Sequence, residues 1–207
     1  MNYMNAEFDI TGIRLESDRL ILREWQLSDL DDFYEYCSVP GVGEMAGWHY
    51  HESKDKSLEI LNHFIEGKHV FALVYKENNK VIGSLGIEKY GSEDKLTEFL
   101  NYKGREIGYV LSKDYWGKGL MPEAVNRVIN FLFNDLDYDF LLCGHFDKNN
   151  QSRRVQEKVG FKPYRKLVFD TRMGTKEPGV LMLMTNPNKD IKLEFSHPET
   201  LIFKNEK

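Results

Sequence analysis

Two kinds of hydrophobic pattern divide the chain into strands and helices. Short, nearly continuous apolar runs predict buried strands, whereas apolar residues that recur every three to four positions predict amphipathic helices. The predicted strands are 19–23, 69–75, 81–87, 106–111, 140–146, 164–169 and 180–184, and the predicted helices are 29–36, 54–67, 122–136 and 150–159. This order predicts an α/β (α+β) fold, in which helices flank a mixed, mostly antiparallel central sheet of about seven strands.

Local signals indicate where the predicted helices begin and end. Ser28 is a candidate N-cap for the first helix, and Gly67 follows the last apolar position of the second. Pro122 lies in the first turn of the third helix, and Gly160 ends the fourth. The pattern therefore predicts four helices with defined ends.

The length of 207 residues favours one domain with a full hydrophobic core, so we treat 1–207 as a single domain. Residues 186–207 carry little periodicity apart from two short apolar runs, 193–195 and 201–203. We expect this segment to be a C-terminal tail that packs on the domain.

Charge and cysteine usage narrow the class of protein. The net charge of −5 argues against a nucleic-acid partner, because a phosphate backbone demands a basic face. No apolar stretch approaches the roughly 20 residues of a membrane span. Cys37 and Cys143 lie in different predicted elements and lack metal-ligand spacing, which favours two reduced thiols. We therefore expect a soluble, cytoplasmic protein that binds neither a membrane nor a metal.

The segment Trp-Gly-Lys-Gly-Leu-Met at 116–121 carries the clearest chemical signal. It joins the predicted strand 106–111 to the predicted helix 122–136. Glycines allow a tight turn, and the first N–H groups of a helix lack internal partners and attract anions. The pattern predicts a phosphate-binding turn. It is not a P-loop, because the spaced Gly and Gly-Lys-Ser/Thr of that motif do not occur.

Four segments in the right order resemble the GNAT acyltransferases, most closely the RimJ/RimL-type N-acetyltransferases. They are 16–23, 106–124, 149–152 and 155–161, and the similarity extends over nearly the whole chain. Two departures concern the glycine turn, where Trp116 and Met121 occupy the first and last positions of the superfamily pattern. A third is Gln156, which stands where the superfamily often has a general-acid Tyr.

This resemblance implies a GNAT-like sheet and an enzyme that transfers an acetyl group from acetyl-CoA directly to a primary amine. The acceptor stays open between a protein N-terminal α-amine and small amines such as polyamines, amino acids or antibiotics. Oligomeric state stays open between a monomer and a homodimer. A non-catalytic acyl-CoA sensor of the same fold is the alternative, and the missing Tyr at Gln156 is its support.

The resemblance also implies where acetyl-CoA binds. Backbone N–H groups from Trp116 through Leu120 would bind the pyrophosphate, and Lys118 would add charge. The strand at 108–111 would bind the pantetheine arm as an added strand, with an N–H near Leu111 polarising the thioester. The donor-site candidates are Tyr109, Val110, Leu111, Trp116, Gly117, Lys118, Gly119, Leu120, Met121, Asn149 and Ser152.

Two residues are candidates for the chemistry of transfer. Glu106 is the candidate base, acting directly or through water, against the alternative of a solvated carboxylate at the edge of a strand. Ser152 is the candidate hydrogen-bond donor to the thiol sulfur, and it competes with a role as N-cap of the helix 150–159. Asn149 would order the same turn or contact the pantetheine.

Further polar residues have weaker claims on the site. Arg153 and Arg154 are candidates to reach the 3′-phosphate of CoA, but a solvated helix face is the favoured interpretation for both. His145 and the segment 41–53, which is rich in aromatic residues and His, lack the carboxylates of a metal site. The segment either lines the acceptor pocket or packs on the core.

Overall fold

An eight-stranded sheet forms the centre of the computed structural model, which describes residues 4–91 and 96–192. Its strands are β1 (Leu15–Glu16), β2 (Leu20–Arg23), β3 (Val70–Tyr75), β4 (Lys80–Glu88), β5 (Gly104–Leu111), β6 (Phe140–Phe146), β7 (Lys162–Asp170) and β8 (Lys176–Thr185). Their order is β1-β2-β3-β4-β5-β6-β8-β7, and only β5 and β6 run parallel. The mixed, mostly antiparallel sheet is confirmed. The additional strand is β1, whose two residues are too few to show a period.

Four α-helices flank the sheet, as the hydrophobic pattern predicts. They are α1 (Leu30–Cys37), α2 (Lys54–Gly67), α3 (Leu120–Asn130) and α4 (Asn150–Val159). The third begins before Pro122 and continues into a π-helical turn, Phe131–Asp135. No helix within residues 4–91 and 96–192 is both long and apolar enough to cross a membrane.

The expectation that Ser28 caps α1 is wrong. A short 3-10 turn, Leu27–Asp29, precedes the helix, and the Asp29 carboxylate accepts a hydrogen bond from the Gln26 N–H at 2.8 Å. Both oxygens of Asp29 also accept from the guanidinium of Arg23 at 2.8 Å. The buried carboxylate therefore organises this end of the helix, and Ser28 stays exposed.

The alternation of side chains along the strands supplies a core on each face of the sheet. Leu20 and Leu22 of β2 point into a large apolar cluster with α3, whereas Ile21 packs against the cluster formed by α1 and α2. Cys143 belongs to the first cluster and Cys37 to the second, and both are buried free thiols. The two helical layers thus lie on opposite faces.

The connection between β4 and β5, which is mostly polar in sequence, contributes buried apolar side chains to the core. Leu96 and Phe99 are fully buried, and the Phe99 ring lies 4.3 Å from that of Phe140. Between them, Glu98 is buried and pairs with Arg165 at 3.0 Å. This segment therefore completes a third apolar cluster beside β6 and β8. Periodicity does not reveal it, because two isolated apolar residues make no pattern.

The beginning of the predicted C-terminal tail packs on the domain. Asn186 is buried, and its Nδ2 donates to the carbonyl oxygen of Tyr138 at 2.8 Å. The Lys189 ammonium pairs with Asp137 at 2.8 Å and with Asp139 at 2.6 Å. These contacts fasten the segment after β8 to the turn before β6. The two apolar runs predicted further along the tail lie outside the described residues.

Candidate functional site

The two parallel strands at the centre of the sheet separate and leave a cleft. β5 and β6 pair over Gly104↔Phe140, Arg105↔Leu141 and Glu106↔Leu142. Beyond these residues β5 continues to Leu111 and β6 to Phe146, but the two strands no longer pair with each other. The space between them opens into a cleft of about 750 Å³, lined also by the glycine turn and the start of α4. This geometry matches the splayed strands that the family resemblance implies.

Alternate residues of β5 direct their backbone N–H and C=O groups toward β4, and the residues between them direct theirs toward the cleft. The Ser112 N–H donates to the Ile82 carbonyl at 2.7 Å, which makes these residues a hydrogen-bonded pair. Tyr109 and Leu111, at alternating positions, therefore turn their backbone groups toward the open side. The Leu111 carbonyl accepts from the Trp116 indole at 2.8 Å. The N–H groups of Tyr109 and Leu111 thus face the cleft.

The glycine turn closes one end of the cleft and starts α3. Gly117 and Gly119 have φ values of 76° and 75°, in the left-handed region that favours glycine. Leu120 begins the helix, so free N–H groups gather at the turn. The Trp116 N–H is already bonded to the Lys113 carbonyl at 3.2 Å, which removes it from the expected set of phosphate donors. The set that remains begins at Gly117.

Lys118 lies differently from its neighbours in the turn. Its side chain is exposed, its Nζ lies 4.9 Å from the centre of the Tyr115 ring, and it does not line the cleft. The other donor-site candidates do line it: Tyr109, Val110, Leu111, Trp116, Gly117, Gly119, Leu120, Met121, Asn149 and Ser152. The structure therefore gathers the predicted residues around one space and leaves the Lys118 side chain outside it.

An ion-paired brace holds the turn from behind. Arg19 donates from Nη1 to the Lys118 carbonyl at 2.9 Å and from Nε to the Glu123 carboxylate at 2.7 Å. Ser17 donates to the same carboxylate at 2.7 Å. Burial works to raise the pKa of Glu123, but the hydrogen bonds from Ser17 and Arg19 outweigh it and lower that pKa. Arg19 lies in the segment 16–23 and Glu123 in the segment 106–124, so the brace joins two of the four segments on which the family resemblance rests.

Glu106 lies where β5 and β6 part. Its side chain lines the cleft, and Oε1 points toward Gly144 of β6. A Cβ added to that glycine would lie 3.5 Å from this oxygen. Burial, with a smaller contribution from the Glu88 charge, raises the pKa of Glu106 to about 7. Among the described residues, no group donates a hydrogen bond to this carboxylate. Glu106 can therefore exchange a proton with a molecule in the cleft near neutral pH.

Ser152 enters the cleft from the first turn of α4, but it does not cap that helix. Asn149 is the N-cap, and its Oδ1 accepts from the Ser152 N–H at 3.0 Å. The Asn149 Nδ2 donates to the Met45 carbonyl at 3.0 Å and so ties the start of α4 to the segment between α1 and α2. The capping role considered for Ser152 is wrong, since the Asn149 side chain caps the helix.

A buried polar network surrounds the Ser152 hydroxyl. Its Oγ lies 3.0 Å from the Tyr109 hydroxyl and 3.1 Å from the Gln156 Nε2. Gln156 also donates to the Gly144 carbonyl at 2.9 Å and contacts His145 Nδ1 through Oε1 at 2.6 Å. Burial raises the pKa of Tyr109 well above its ordinary value, so the phenol keeps its proton. The sequence pointed to Tyr109 only for its backbone, because no pattern links residues this far apart.

The two arginines of α4 have different surroundings. Arg154 lines the cleft together with Lys158, one turn further along the helix. Arg153 instead lies 3.8 Å from Glu157 in an exposed i,i+4 pair. Of the two arginines, Arg154 is therefore the one placed to meet an anion in the cleft, and Arg153 belongs to the solvated face.

The segment 41–53 divides into two parts. Val42 and the residues Met45–Gly47 line the cleft on the side of Glu106, where the Arg172 N–H donates to the Gly47 carbonyl at 2.8 Å. His51 is buried, with Nδ1 2.7 Å from the Ser57 hydroxyl, and it packs on the α1–α2 layer. The second part therefore packs on the core, and the first part lines the cleft.

A family model and a curated relative match the chain. The model describes an acetyltransferase (GNAT) domain and matches residues 19–162. A protein named "Uncharacterized N-acetyltransferase p20", from Bacillus licheniformis, is 29% identical over 154 residues, which is 72% of this chain and 82% of the relative. The matched region contains the turn, β5, β6 and α4, all of which contribute residues to the cleft.

Solved structures share the fold at lower identity. The ribosomal-protein-S5-alanine acetyltransferase from Vibrio fischeri has a TM-score of 0.61 and 21% identity, covering 87% of this chain and 99% of its own. The spermidine N-acetyltransferase from Vibrio cholerae, solved with CoA and spermine, has a TM-score of 0.65 and 18% identity, covering 82% and 97%. Both support the same architecture.

Proposed function

Because this chain belongs to the GNAT acetyltransferase family and is an acyltransferase, we propose that it transfers the acetyl group of acetyl-CoA directly to a primary amine. The acceptor is a protein N-terminal α-amine or the amine of a small molecule. The observation that carries the proposal is the cleft between β5 and β6, whose lining includes Glu106, where the strands part, and Ser152 of α4.

The residues of the cleft suit a pantetheine arm and a pyrophosphate. The N–H groups of Tyr109 and Leu111 face a strand-like amide chain, and those from Gly117 onward face an anion at the start of α3. Arg154 adds positive charge on the opposite wall. When bound there, acetyl-CoA supplies an acetyl group that is already activated as a thioester. The chain's own residues then need to orient two reactants and handle one proton.

Glu106 is suited to take the proton of the acceptor amine. An α-amine has a pKa of about 8, so a base with a pKa of about 7 works close to neutral pH. Glu106 accepts this proton, directly or through water, as the C–N bond forms. Ser152 donates a hydrogen bond to the sulfur as the C–S bond breaks, and the departing thiolate is protonated by solvent. Positioning and proton transfer thus account for the reaction.

The state of Cys143 supports direct transfer rather than an acetyl-enzyme intermediate. The thiol lines the cleft, yet burial raises the pKa of Cys143 far above its ordinary value. A thiol that stays protonated is a poor nucleophile, because the thiolate is the reactive form. Direct attack of the amine on the thioester is therefore favoured over prior attack by this thiol.

The side of the cleft around Glu106 supports both kinds of acceptor. Phe146 and Phe169 meet edge-on there with ring centres 5.8 Å apart, and Asp170 and Arg172 add one charge of each sign. A peptide N-terminus brings backbone and side chain to such a surface, and a polyamine brings several cations. The solved relatives named above include an acetyltransferase of each acceptor class.

Thiol release with a panel of amines tests this proposal. We expect the purified protein to free CoA thiol from acetyl-CoA with one class among peptides, polyamines, amino acids and aminoglycosides. The matched control is the same acceptor with its amine already acetylated, which should give no release above background. Tight acetyl-CoA binding without turnover across the whole panel would instead identify a non-catalytic acyl-CoA sensor.

A further inference from the structure

We propose that Tyr109 and Gln156 are positioning residues that direct the Ser152 proton into the cleft, which makes Ser152 a dedicated hydrogen-bond donor to the leaving sulfur. The inference rests on the proposed function and assigns the two residues a shared task within it. Gln156 occupies the position of the acid Tyr of other superfamily members, and Tyr109 comes from a different strand. Together with Ser152, the two residues form a three-residue arrangement in place of a single acid.

The orientation of the Gln156 amide follows from the chemistry of its neighbours. Its Nε2 lies 2.9 Å from the Gly144 carbonyl oxygen, which can only accept a hydrogen bond. The NH₂ group must therefore lie on that side, where it also reaches Ser152 Oγ at 3.1 Å. The opposite oxygen accepts from His145, which must donate from Nδ1 at 2.6 Å. Nε2 also lies 3.0 Å from Cys143 Sγ, but a thiol sulfur is the weaker acceptor, so the second amide proton goes to the Ser152 hydroxyl.

The Tyr109 phenol supplies the second contact to the same hydroxyl. Its oxygen lies 3.0 Å from Ser152 Oγ and 3.1 Å from the Ser152 carbonyl oxygen, and it carries a single proton. When the phenol donates to the carbonyl, Ser152 can turn its own proton toward the phenol oxygen. When the phenol donates to Oγ, the Ser152 proton is free to point into the cleft. Negative charge that develops on the sulfur favours the second arrangement.

The number of hydrogen-bonding groups on a serine hydroxyl makes this arrangement directional. The group has one proton and two lone pairs. In the second arrangement Gln156 and Tyr109 occupy both lone pairs, so the proton has only the cleft as its direction. Tyr109 stays protonated because it is buried, which keeps it a donor rather than an acid that gives up its proton. Its contribution therefore acts entirely through Ser152.

The ionisation of CoA bound to the enzyme tests this arrangement without requiring turnover. Thiolate absorbance of bound CoA is titrated with pH for the wild type, Tyr109→Phe, Ser152→Ala and the double variant. We expect Tyr109→Phe to raise the pKa of the bound thiol by about one unit, since hydrogen bonds to charged groups contribute about tenfold or more. Ser152→Ala should raise it at least as far, and the double variant should match Ser152→Ala.

Tyr138→Phe is the matched control, because Tyr138 is also a buried phenol but lies outside the cleft lining. It should leave the thiol pKa unchanged. In turnover, Tyr109→Phe should lower kcat about tenfold with little change in the KM for acetyl-CoA. Retention of CoA affinity by Tyr109→Phe shows that the cleft remains folded.

Two results would overturn the arrangement. One is a thiol pKa that stays at the wild-type value in Tyr109→Phe but shifts in Ser152→Ala. The other is a double variant whose shift equals the sum of the two single shifts, because Tyr109 would then act independently of Ser152. If the expected pattern appears but no amine is acetylated, the arrangement is supported and the proposed function fails.

Discussion

Replacing Glu106 with Gln is expected to lower kcat/KM about 100- to 10,000-fold, the usual contribution of a general base. Gln keeps the shape of the side chain but cannot take the amine proton. Steady-state thiol release with the best acceptor measures the effect. In the wild type, kcat/KM should fall as the pH drops through about 7, because the carboxylate becomes protonated. The variant should lack this dependence.

The same substitution should make the protein more stable at high pH. Burial raises the pKa of Glu106 from 4.5 to about 7, so the folded state holds a proton that the unfolded state releases between these values. Stability is therefore lost as the pH rises through this window, by up to about 3 kcal/mol. Urea denaturation should show Glu106→Gln more stable than the wild type at pH 8, with no such advantage at pH 4.

Glu88→Gln is the matched control, because it removes a neighbouring charge that raises the pKa of Glu106 and leaves Glu106 itself in place. Glu88 pairs with Glu106 across β4 and β5, and its charge contributes to the raised pKa of Glu106. This variant should keep its activity at pH 8 and shift the acidic limb of kcat/KM to lower pH. If Glu106→Gln instead lost stability at pH 8 in step with its activity, its role would be structural rather than catalytic.

Gly119→Val is expected to weaken CoA binding about 100-fold or more. Gly119 adopts a φ of 75° immediately before α3, and a β-branched residue strains that conformation by about 1–3 kcal/mol. Relief of the strain would turn the N–H groups of the helix start away from the phosphates. Each charge-assisted hydrogen bond lost adds a further 1.5–3 kcal/mol, approximately. Titration calorimetry with CoA measures the change.

Gly12→Val separates loss of the anion site from loss of folding. Gly12 has a φ of 73°, a Cβ there meets nothing within 4 Å, and the residue lies outside the cleft lining. Both variants suffer similar backbone strain, so their melting temperatures should fall comparably. Only Gly119→Val should lose CoA affinity. Equal affinities in the two variants would show that the turn does not bind the phosphates.

Hydrophobic periodicity predicts most of the fold because the elements of this chain are amphipathic or continuously apolar. The helix Asn150–Val159 is predicted with its exact bounds, since Gly160 ends it with a φ of 103°. The buried segment around Phe99 is not predicted, because its burial depends on Phe140, which is distant in sequence. Local patterns thus predict the elements, and long-range packing determines the irregular segments between them.

The candidate site divides in the same way. Glu106 and the glycine turn stand out in the sequence because strand, turn and helix follow one another along the chain. The phenol of Tyr109 and the amide of Gln156 acquire their roles only when β5 and α4 meet at Ser152. Lys118 shows the reverse case, in which a charged residue inside the motif turns its side chain away from the cleft. Position in a motif does not determine where a side chain points.

Product balance tests the central proposal of direct acetyl transfer most sharply. The protein is incubated with acetyl-CoA and the best acceptor, and CoA thiol and N-acetylated amine are quantified together with the intact mass of the protein. We predict one acetylated amine for each thiol released, and an unmodified protein mass when the acceptor is omitted. Accumulation of an acetylated protein that then passes its acetyl group to the amine would contradict the proposal.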